Sequence, residues 1–354
     1  MIHRLTIDRF KSIRSLSLRC RKVNVFIGPP DTGKTNILEA LYFLSILGWG
    51  RPLDGFLRLS REVGFEPLFY RQFVDAPFRI SLHLEPRWVD DPKAADFTIE
   101  AALRGHDRSL EVTPYTGEFA LRQNRGIEPS GPEPGQSFRL AFGDLYQLSQ
   151  LDWLRFYSYT FPEQWKYNTN FRYGTTVVTP PHGDNLIYIA RHNSKVYDFL
   201  KDTLSALNWK LRFDQSQKTF RLSDVREDEI LDYNLDLLSD SLKRLFFYGA
   251  IILTSEKATL VMDEPDVFAF PPYPKTLGEM IGGDASNQYF LTTHNPYFLA
   301  GVVEKTPAEN LAVFVCSRDA EGGTAIKLLA PEDVSRVIEQ GANVFFNLDE
   351  FLKP

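Results

Sequence analysis

The chain has 354 residues, of which 43% are hydrophobic and 24% are charged, so it can form one large or two modest folded domains. Its formal net charge of -6 excludes a surface that is basic throughout, although a local basic groove stays compatible with it. Cys20 and Cys316 show no CxxC spacing, which argues against a disulfide framework or a zinc site and favours a reducing cytosol.

The first half of the chain predicts strands around one loop and one helix. Apolar residues alternate over 2–10, and the continuous apolar run at 23–27 is typical of a buried strand. Residues 36–47 carry apolar side chains at helical spacing. A β-rich segment follows between about 77 and 142, and a Pro- and Gly-rich surface loop is expected within it at 126–135.

The second half alternates between predicted helices and strands, which is the signature of an α/β protein with a mostly parallel sheet. The predicted strands lie at 155–161, 209–213, 219–222, 259–263, 288–293 and 311–316. The predicted helical segments lie at 185–207, 239–253, 274–281 and 296–303. No apolar heptads persist over several turns, so no long coiled coil is expected. The most apolar stretch, 245–253, is too short to span a bilayer, and no apolar signal core follows Met1, so we expect a cytoplasmic protein without a membrane partner.

One motif matches the phosphate-binding pattern G-x-x-x-x-G-K-[ST] in full, and its residues are Gly28, Pro29, Pro30, Asp31, Thr32, Gly33, Lys34 and Thr35. A buried strand before it and a helix after it favour this interpretation over a chance turn. The N–H groups of such a loop surround phosphates, and Asn36 is assigned to the same nucleotide contact. Lys34 is expected to reach the β- and γ-phosphates and the Thr35 hydroxyl to bind Mg²⁺. The predicted cofactors are therefore ATP and Mg²⁺.

Two carboxylates follow the apolar strand at 259–262. Asp263 is predicted to hold Mg²⁺ through water, and Glu264 to act as the general base on the attacking water. An acidic pair at a strand end is usually a solvated turn. Together with the phosphate loop and a following α/β unit, however, the catalytic interpretation is favoured.

The next predicted strand also ends in a polar residue, His294. Its side chain could hydrogen-bond a γ-phosphate or the attacking water. A lone histidine at a strand end is more often structural. Because His294 comes one strand after the Asp263–Glu264 pair, we predict a catalytic role.

Several segments appear in the order seen in ABC-type P-loop ATPases, and the sequence most resembles the RecF/SMC/OLD-like branch of these AAA-type ATP-binding proteins. The segments are IDRFKSI, GPPDTGKTNILEAL, PPHGDNLIYIA, LLSDSLKRL, VMDEPD and TTHNPYFL. The resemblance implies an ABC-type α/β head with a mixed β-sheet lobe and a helical second lobe. The β-rich segment would be an insertion in it.

The resemblance also implies a homodimer in which each ATP lies between one phosphate loop and the signature helix of the other copy. The matching positions are Leu238, Ser239, Asp240 and Ser241. Ser239 and Ser241 are the predicted nucleotide contacts, although the family prefers glycine where Ser241 stands. A Ser-rich helix cap remains the alternative.

Two further nucleotide contacts, Lys11 and Ser12, follow from the resemblance by position. The implied domains are lobe I with the phosphate loop and the insertion (1–179), helical lobe II (180–254), and the rest of lobe I with the Walker B acids and the switch histidine (255–354). Arg122, Arg125 and Arg139 flank the Pro- and Gly-rich loop and are expected to be solvated.

The function implied is a Mg²⁺-dependent ATP hydrolase whose ATP-driven dimerisation acts as a clamp or switch in DNA repair, DNA-end processing or phage defence. DNA is a candidate partner. One alternative is a regulatory ATPase subunit for a separate nuclease or toxin. Another is a nucleotide-gated binding module with little turnover, although Glu264 argues against it. A transporter head fits poorly, because more than two hundred residues separate Lys34 from Ser239.

Overall fold

A computed structural model of the chain describes the following residues: 1–49, 65–84, 96–104, 109–114, 138–140, 155–162, 176–225, 230–267 and 269–352. The strands in these ranges are β1 (Ile2–Phe10), β2 (Ile13–Arg19), β3 (Val23–Ile27), β4 (Phe78–Leu84), β5 (Asp96–Arg104), β6 (Ser109–Pro114), β7 (Phe138–Leu140), β8 (Phe156–Tyr159), β9 (Lys210–Asp214), β10 (Thr219–Val225), β11 (Ile230–Asn234), β12 (Thr259–Met262), β13 (Gln288–Thr292), β14 (Leu311–Arg318) and β15 (Thr324–Leu328). The helices are α1 (Lys34–Trp49), α2 (Leu186–His192), α3 (Ser194–Ser205), α4 (Asp240–Thr254), α5 (Pro272–Gly283), α6 (Pro296–Lys305), α7 (Pro331–Gln340) and α8 (Leu348–Leu352).

The central sheet joins the two ends of the chain, in the order β15-β14-β3-β13-β12-β8. Its strands pair in parallel, except that β15 runs antiparallel to β14. All five residues of β3 are buried, which explains why four of them are apolar, and the fifth, Asn24, donates a hydrogen bond to the Tyr289 carbonyl oxygen at 2.9 Å. The predicted α/β head with a mixed sheet is confirmed.

A second sheet is antiparallel and has the order β2-β1-β4-β5-β6-β7. The β-rich segment therefore continues the N-terminal hairpin, because β4 pairs along the whole of β1 from Ile2–Leu84 to Asp8–Arg79. Buried and exposed residues alternate along β4, as expected for a sheet with one face on the core. The predicted surface loop at 126–135 and the flanking Arg122 and Arg125 lie outside the described residues, as does the side chain of Arg139.

Helix α1 lies between the two sheets, which is why its apolar residues cover more than one face. Its side chains share one core with the inner face of the antiparallel sheet and with one face of the central sheet, where Phe26, Phe290 and Phe314 lie. The other face of the central sheet packs against the remaining helices through Val25, Leu260 and other side chains of a second core. The helix that begins at the phosphate loop is thus fixed from both sides.

The helical segment predicted at 185–207 forms two helices, α2 and α3, and the predicted hairpin forms β9 and β10. The sequence pattern did not reveal β11, which pairs with β10 and whose residues are half-buried or exposed. Ser239 is the cap of α4, and its hydroxyl accepts a hydrogen bond from the Leu242 N–H at 3.4 Å. Within the described residues, the longest helix has 16 residues and none could cross a membrane.

Helices α5 and α6 follow the strands that end at the Asp263–Glu264 pair and at His294, and glycines allow them to pack closely. A Cβ atom added at Gly278 would lie 2.4 Å from the Phe298 carbonyl oxygen. One added at Gly301 would lie 2.4 Å from the Lys275 carbonyl oxygen. Both contacts are with backbone, which cannot rotate away as a side chain can.

We therefore expect Gly301→Ala to lower the free energy of unfolding by about 1–3 kcal/mol, since the added methyl group overpacks the α5–α6 contact. The measurement is the midpoint of urea unfolding. Gly283→Ala is the matched control, because a Cβ atom at Gly283 meets nothing within 4 Å. Equal midpoints for the two variants would contradict this account of the helix contact.

Candidate nucleotide-binding site

The candidate site lies where parallel strands of the central sheet end side by side. Thr292 of β13 pairs with Phe26, and Val315 of β14 pairs with Ile27. The carboxyl end of β3, which leads into the phosphate loop, is therefore flanked by the ends of both neighbouring strands. Such an edge is where open α/β sheets bind ligands.

The phosphate loop has the backbone that its glycines allow. Gly28 and Gly33 have φ values of +153° and +89°, and Asp31 lies in the left-handed region at +58°. A Cβ atom at Gly28 would lie 2.4 Å from the Cys316 carbonyl oxygen of β14. One at Gly33 would lie 2.0 Å from the Thr324 hydroxyl oxygen, so neither position admits a larger residue without displacing its neighbour.

Lys34 is buried, and its ammonium group is held by the loop that it follows. Its Nζ atom donates hydrogen bonds to the carbonyl oxygens of Gly28 at 3.0 Å and Pro29 at 2.7 Å. Burial lowers the pKa of Lys34, whereas nearby negative groups, among them Glu264 and Asp263, act in the opposite direction. These carbonyl oxygens are neutral, so the Lys34 ammonium would form stronger hydrogen bonds with the charged oxygens of a phosphate bound in the loop.

Thr35 and Asp263 have the oxygens that a Mg²⁺ ion needs. The Thr35 Oγ1 and Asp263 Oδ1 atoms lie 3.4 Å apart although 228 positions separate them in the sequence. Burial raises the pKa of Asp263, and hydrogen bonds from the Thr292 and Thr35 hydroxyls counter this. A hydroxyl and a carboxylate this close fit the hard oxygen ligands that Mg²⁺ prefers.

Thr292 fixes both Walker B acids. Its hydroxyl donates to Asp263 Oδ1 and accepts a hydrogen bond from the Glu264 N–H at 2.9 Å. The second bond supports an unfavourable backbone, because Glu264 has a φ of +44°. Such a conformation costs on the order of 1–3 kcal/mol and turns the Glu264 side chain away from the strand direction.

His294 faces Glu264 across the site. Its Nε2 atom lies 3.5 Å from Glu264 Oε1, and both side chains are partly exposed. Burial and the nearby Lys34 ammonium lower the pKa of His294, whereas Asp263 acts in the opposite direction, and the net shift favours the neutral ring. A neutral ring leaves the Glu264 carboxylate free to accept a proton.

Several of these groups line one cavity of about 670 Å³. The described residues that line it are Ser12, Pro30, Asp31, Gly33, Lys34, Thr35, Asn36, Glu264, His294 and Arg318. Asn36 Nδ2 donates to Ser12 Oγ at 2.5 Å, and the Ser12 and Thr324 hydroxyl oxygens lie 2.6 Å apart. The volume and the polar lining suit a nucleotide.

The family described as "AAA domain, putative AbiEii toxin, Type IV TA system" matches residues 23–300, which is more than half of the chain. The chain belongs to this family. It is thus a P-loop ATPase of the AAA type, as the resemblance implied. None of the curated proteins matches the sequence.

Solved SMC head domains share the fold. One is the SMC head bound to the C-winged helix domain of ScpA, with a TM-score of 0.58 and 13% identity over 94% of this chain and 99% of that one. Another is an SMC head domain with an extended coiled coil, bound to the C-terminal domain of ScpA, from Pyrococcus furiosus. Its TM-score is 0.51, with 14% identity over 96% of this chain and 98% of that one.

Three of the residues predicted from the resemblance do not line the cavity in this ATPase chain. The buried Lys11 ammonium lies 2.8 Å from the Glu39 carboxylate of α1. Ser239 is exposed at the start of α4, and the Ser241 hydroxyl accepts a hydrogen bond from the Phe270 N–H at 3.0 Å. These residues stay predictions, and Ser12 is the member of the group that does line the cavity.

The sequence patterns missed three polar residues of the site: Thr292, Asp266 and Arg318. Asp266 follows the Walker B acids by two positions and is buried, which raises its pKa to about 7. Its Oδ2 atom accepts a hydrogen bond from the Thr293 hydroxyl at 2.8 Å. Thr292 and Asp266 could have been found from their positions at or just after the ends of predicted strands. No sequence motif identifies Arg318.

We expect Thr292→Val to raise the Mg²⁺ concentration needed for half-maximal nucleotide binding by about 10-fold or more. Valine keeps the shape of threonine but leaves the Glu264 N–H and the Asp263 carboxylate without their shared partner. The measurement is a Mg²⁺ titration at fixed nucleotide concentration. Thr292→Ser keeps the hydroxyl and is the control, so equal half-saturation for the serine and valine variants would refute the role of Thr292.

Proposed function

We propose that this chain hydrolyses ATP with Mg²⁺ and that its nucleotide state controls the association of two copies, as a clamp or switch acting on DNA or in phage defence. The observation that carries the proposal is that residues of the phosphate loop and Glu264 line one cavity, while the Asp263 Oδ1 atom lies 3.4 Å from the Thr35 Oγ1 atom of that cavity. In this proposal Lys34 binds phosphate, Thr35 binds the metal ion and Glu264 activates the attacking water.

The proposed chemistry is assigned to residues of this chain as follows. Lys34 binds the β- and γ-phosphates, Thr35 and Asp263 hold Mg²⁺, and Glu264 accepts the proton of the attacking water. Bound Mg²⁺ would neutralise charge on the phosphates. The neutral ring of His294 can hydrogen-bond the γ-phosphate or the water without competing for the proton.

Glu264→Gln is expected to bind ATP and Mg²⁺ normally and to reduce ATP turnover by about 10²-fold or more, because an amide cannot accept the proton. Steady-state turnover and calorimetric ATP affinity, measured together, separate catalysis from binding. Glu256→Gln is the control, since Glu256 is exposed beside the first residues of β12 and lies away from the cavity. Turnover at the parental rate in Glu264→Gln would exclude Glu264 as the base.

The proposed dimer draws support from the exposed start of α4. Ser239 is exposed there, and the preceding Leu237 leaves 69% of its area in solvent. Phe270, whose N–H binds the Ser241 hydroxyl, is 63% exposed. The N-terminus of a helix favours bound phosphate, and exposed apolar side chains beside it favour contact with another protein surface. Together they suit a surface of α4 that binds the phosphates held by a second copy.

Mixing two inactive variants tests this composite site. Ser239→Arg should oppose ATP-driven dimerisation through added bulk and charge, yet retain ATP binding through Lys34. Lys34→Ala should lose ATP binding and retain an intact Ser239. Because one site of the mixed dimer combines the intact Lys34 with the intact Ser239, excess Lys34→Ala should restore part of the turnover of Ser239→Arg.

Sedimentation of each variant with a non-hydrolysable ATP analogue reports the dimer, and turnover of the mixture reports the rescue. A site completed within one chain predicts no rescue. Full activity of monomeric Ser239→Arg would remove the sandwich dimer.

A regulatory ATPase of a toxin system is the second candidate. The description of the family names a toxin and a type IV toxin–antitoxin system, which favours a setting of this kind. Turnover with and without DNA, together with the mass of proteins that copurify, distinguishes the two. Stimulation by DNA favours the clamp, whereas a stoichiometric protein partner and no response to DNA favour the regulatory subunit.

A further inference from the structure

The phosphate loop carries two prolines in its first turn, Pro29 and Pro30. Proline has no N–H, so this part of the loop cannot donate backbone hydrogen bonds to a phosphate. The Thr32 hydroxyl does not replace them, because it donates to the Pro29 carbonyl oxygen at 2.9 Å. After Gly28, the next backbone N–H of the loop is therefore that of Asp31.

Arg318 lies beside this turn. It is the last residue of β14, which runs parallel to β3 and pairs with it as far as Val315 and Ile27. Its Nε atom donates to the Asp31 carbonyl oxygen at 3.0 Å, and its side chain lines the nucleotide cavity. Within the described part of the chain, its two terminal amino groups meet no hydrogen-bond or ion-pair partner.

The turn after Arg318 is held firmly. The Asp319 carboxylate accepts hydrogen bonds from the N–H groups of Glu321 at 2.9 Å and Gly323 at 2.7 Å. The Thr324 N–H donates to the Ser12 carbonyl oxygen at 2.9 Å. The backbone next to Arg318 is therefore held in place, and the contact of its Nε atom with the Asp31 carbonyl directs the exposed side chain toward the loop, which reduces the entropy lost on binding a ligand.

The charge of the cavity also favours a second cation at the phosphates. Of the described residues that line it, Lys34 and Arg318 carry the lasting positive charge, because the lowered pKa of His294 favours its neutral ring. Asp31 and Glu264 already contribute negative charge before the phosphates arrive. Lys34 rests on the Pro29 carbonyl, which marks the proline turn as the end of the loop near the β- and γ-phosphates.

We propose that Arg318 binds the β- and γ-phosphates of ATP in place of the N–H groups missing at Pro29 and Pro30. Guanidinium presents several donors in a plane and pairs with phosphate oxygens in a bidentate manner, whereas lysine acts as a point charge. This inference rests on the proposed function, because it names a further binding residue of the same ATP site.

The experiment compares calorimetric affinities for a non-hydrolysable ATP analogue, ADP, AMP and adenosine. Arg318→Ala should lower the affinity for the ATP analogue and for ADP by about 10- to 100-fold, which is the effect expected when a hydrogen bond from a charged group is lost. AMP and adenosine should be unaffected, and Arg318→Lys should fall between the parent and Arg318→Ala. Arg14→Ala is the matched control with parental affinities, because Arg14 is an exposed arginine that pairs with Glu321 on the same turn.

Two results would overturn the inference: unchanged affinity of Arg318→Ala for the ATP analogue, or an equal loss for all four ligands, which would mean that Arg318 contacts the base or ribose. Lys34→Ala separates these failures from a failure of the proposed function. If Lys34→Ala binds the ATP analogue as the parent does, the nucleotide site itself is wrong. If Lys34→Ala loses binding and Arg318→Ala does not, the inference alone fails.

Discussion

The site depends on the parallel register of β3 between β13 and β14. This register sets Phe26 beside Thr292 and Ile27 beside Val315, so the phosphate loop, the switch histidine and Arg318 all emerge at the same edge. A slip of one residue would turn every side chain of β3 to the opposite face. Because β3 is buried on both faces, such a slip would disrupt both cores, and the packing therefore enforces the alignment of these strand ends.

Rigidity on both sides of the loop follows from the layered packing. Helix α1 begins at Lys34 and is enclosed by the antiparallel sheet on one side and the central sheet on the other. Buried polar side chains tie the layers together, since Gln288 of β13 bonds the backbone of both Ile2 and Arg21. Groups held in this way need little rearrangement to receive a charged ligand, which is the condition for strong electrostatic stabilisation.

The Walker B acids illustrate how one hydroxyl can serve two purposes. Thr292 is buried and hydrogen-bonds both the Asp263 carboxylate and the Glu264 backbone, so the proposed metal ligand and the proposed base are held by a single residue of the neighbouring strand. The positive φ of Glu264 is the cost of turning that side chain toward the cavity. Asp266, buried beside this pair, adds a third carboxyl group to the same edge.

The sequence by itself determined the order of most helices and strands and the strand–loop–helix around Gly28–Thr35, since these are local patterns of spacing and polarity. It also predicted roles for Asp263, Glu264 and His294, and these roles stay predictions. It could not reveal that β4–β7 extend the N-terminal hairpin, that Lys11 pairs with Glu39, or that Arg318 reaches Asp31. Each of these depends on which surfaces pack together. Arg318 and Asp31 are 287 positions apart, and only the pairing of β14 with β3 brings them into contact.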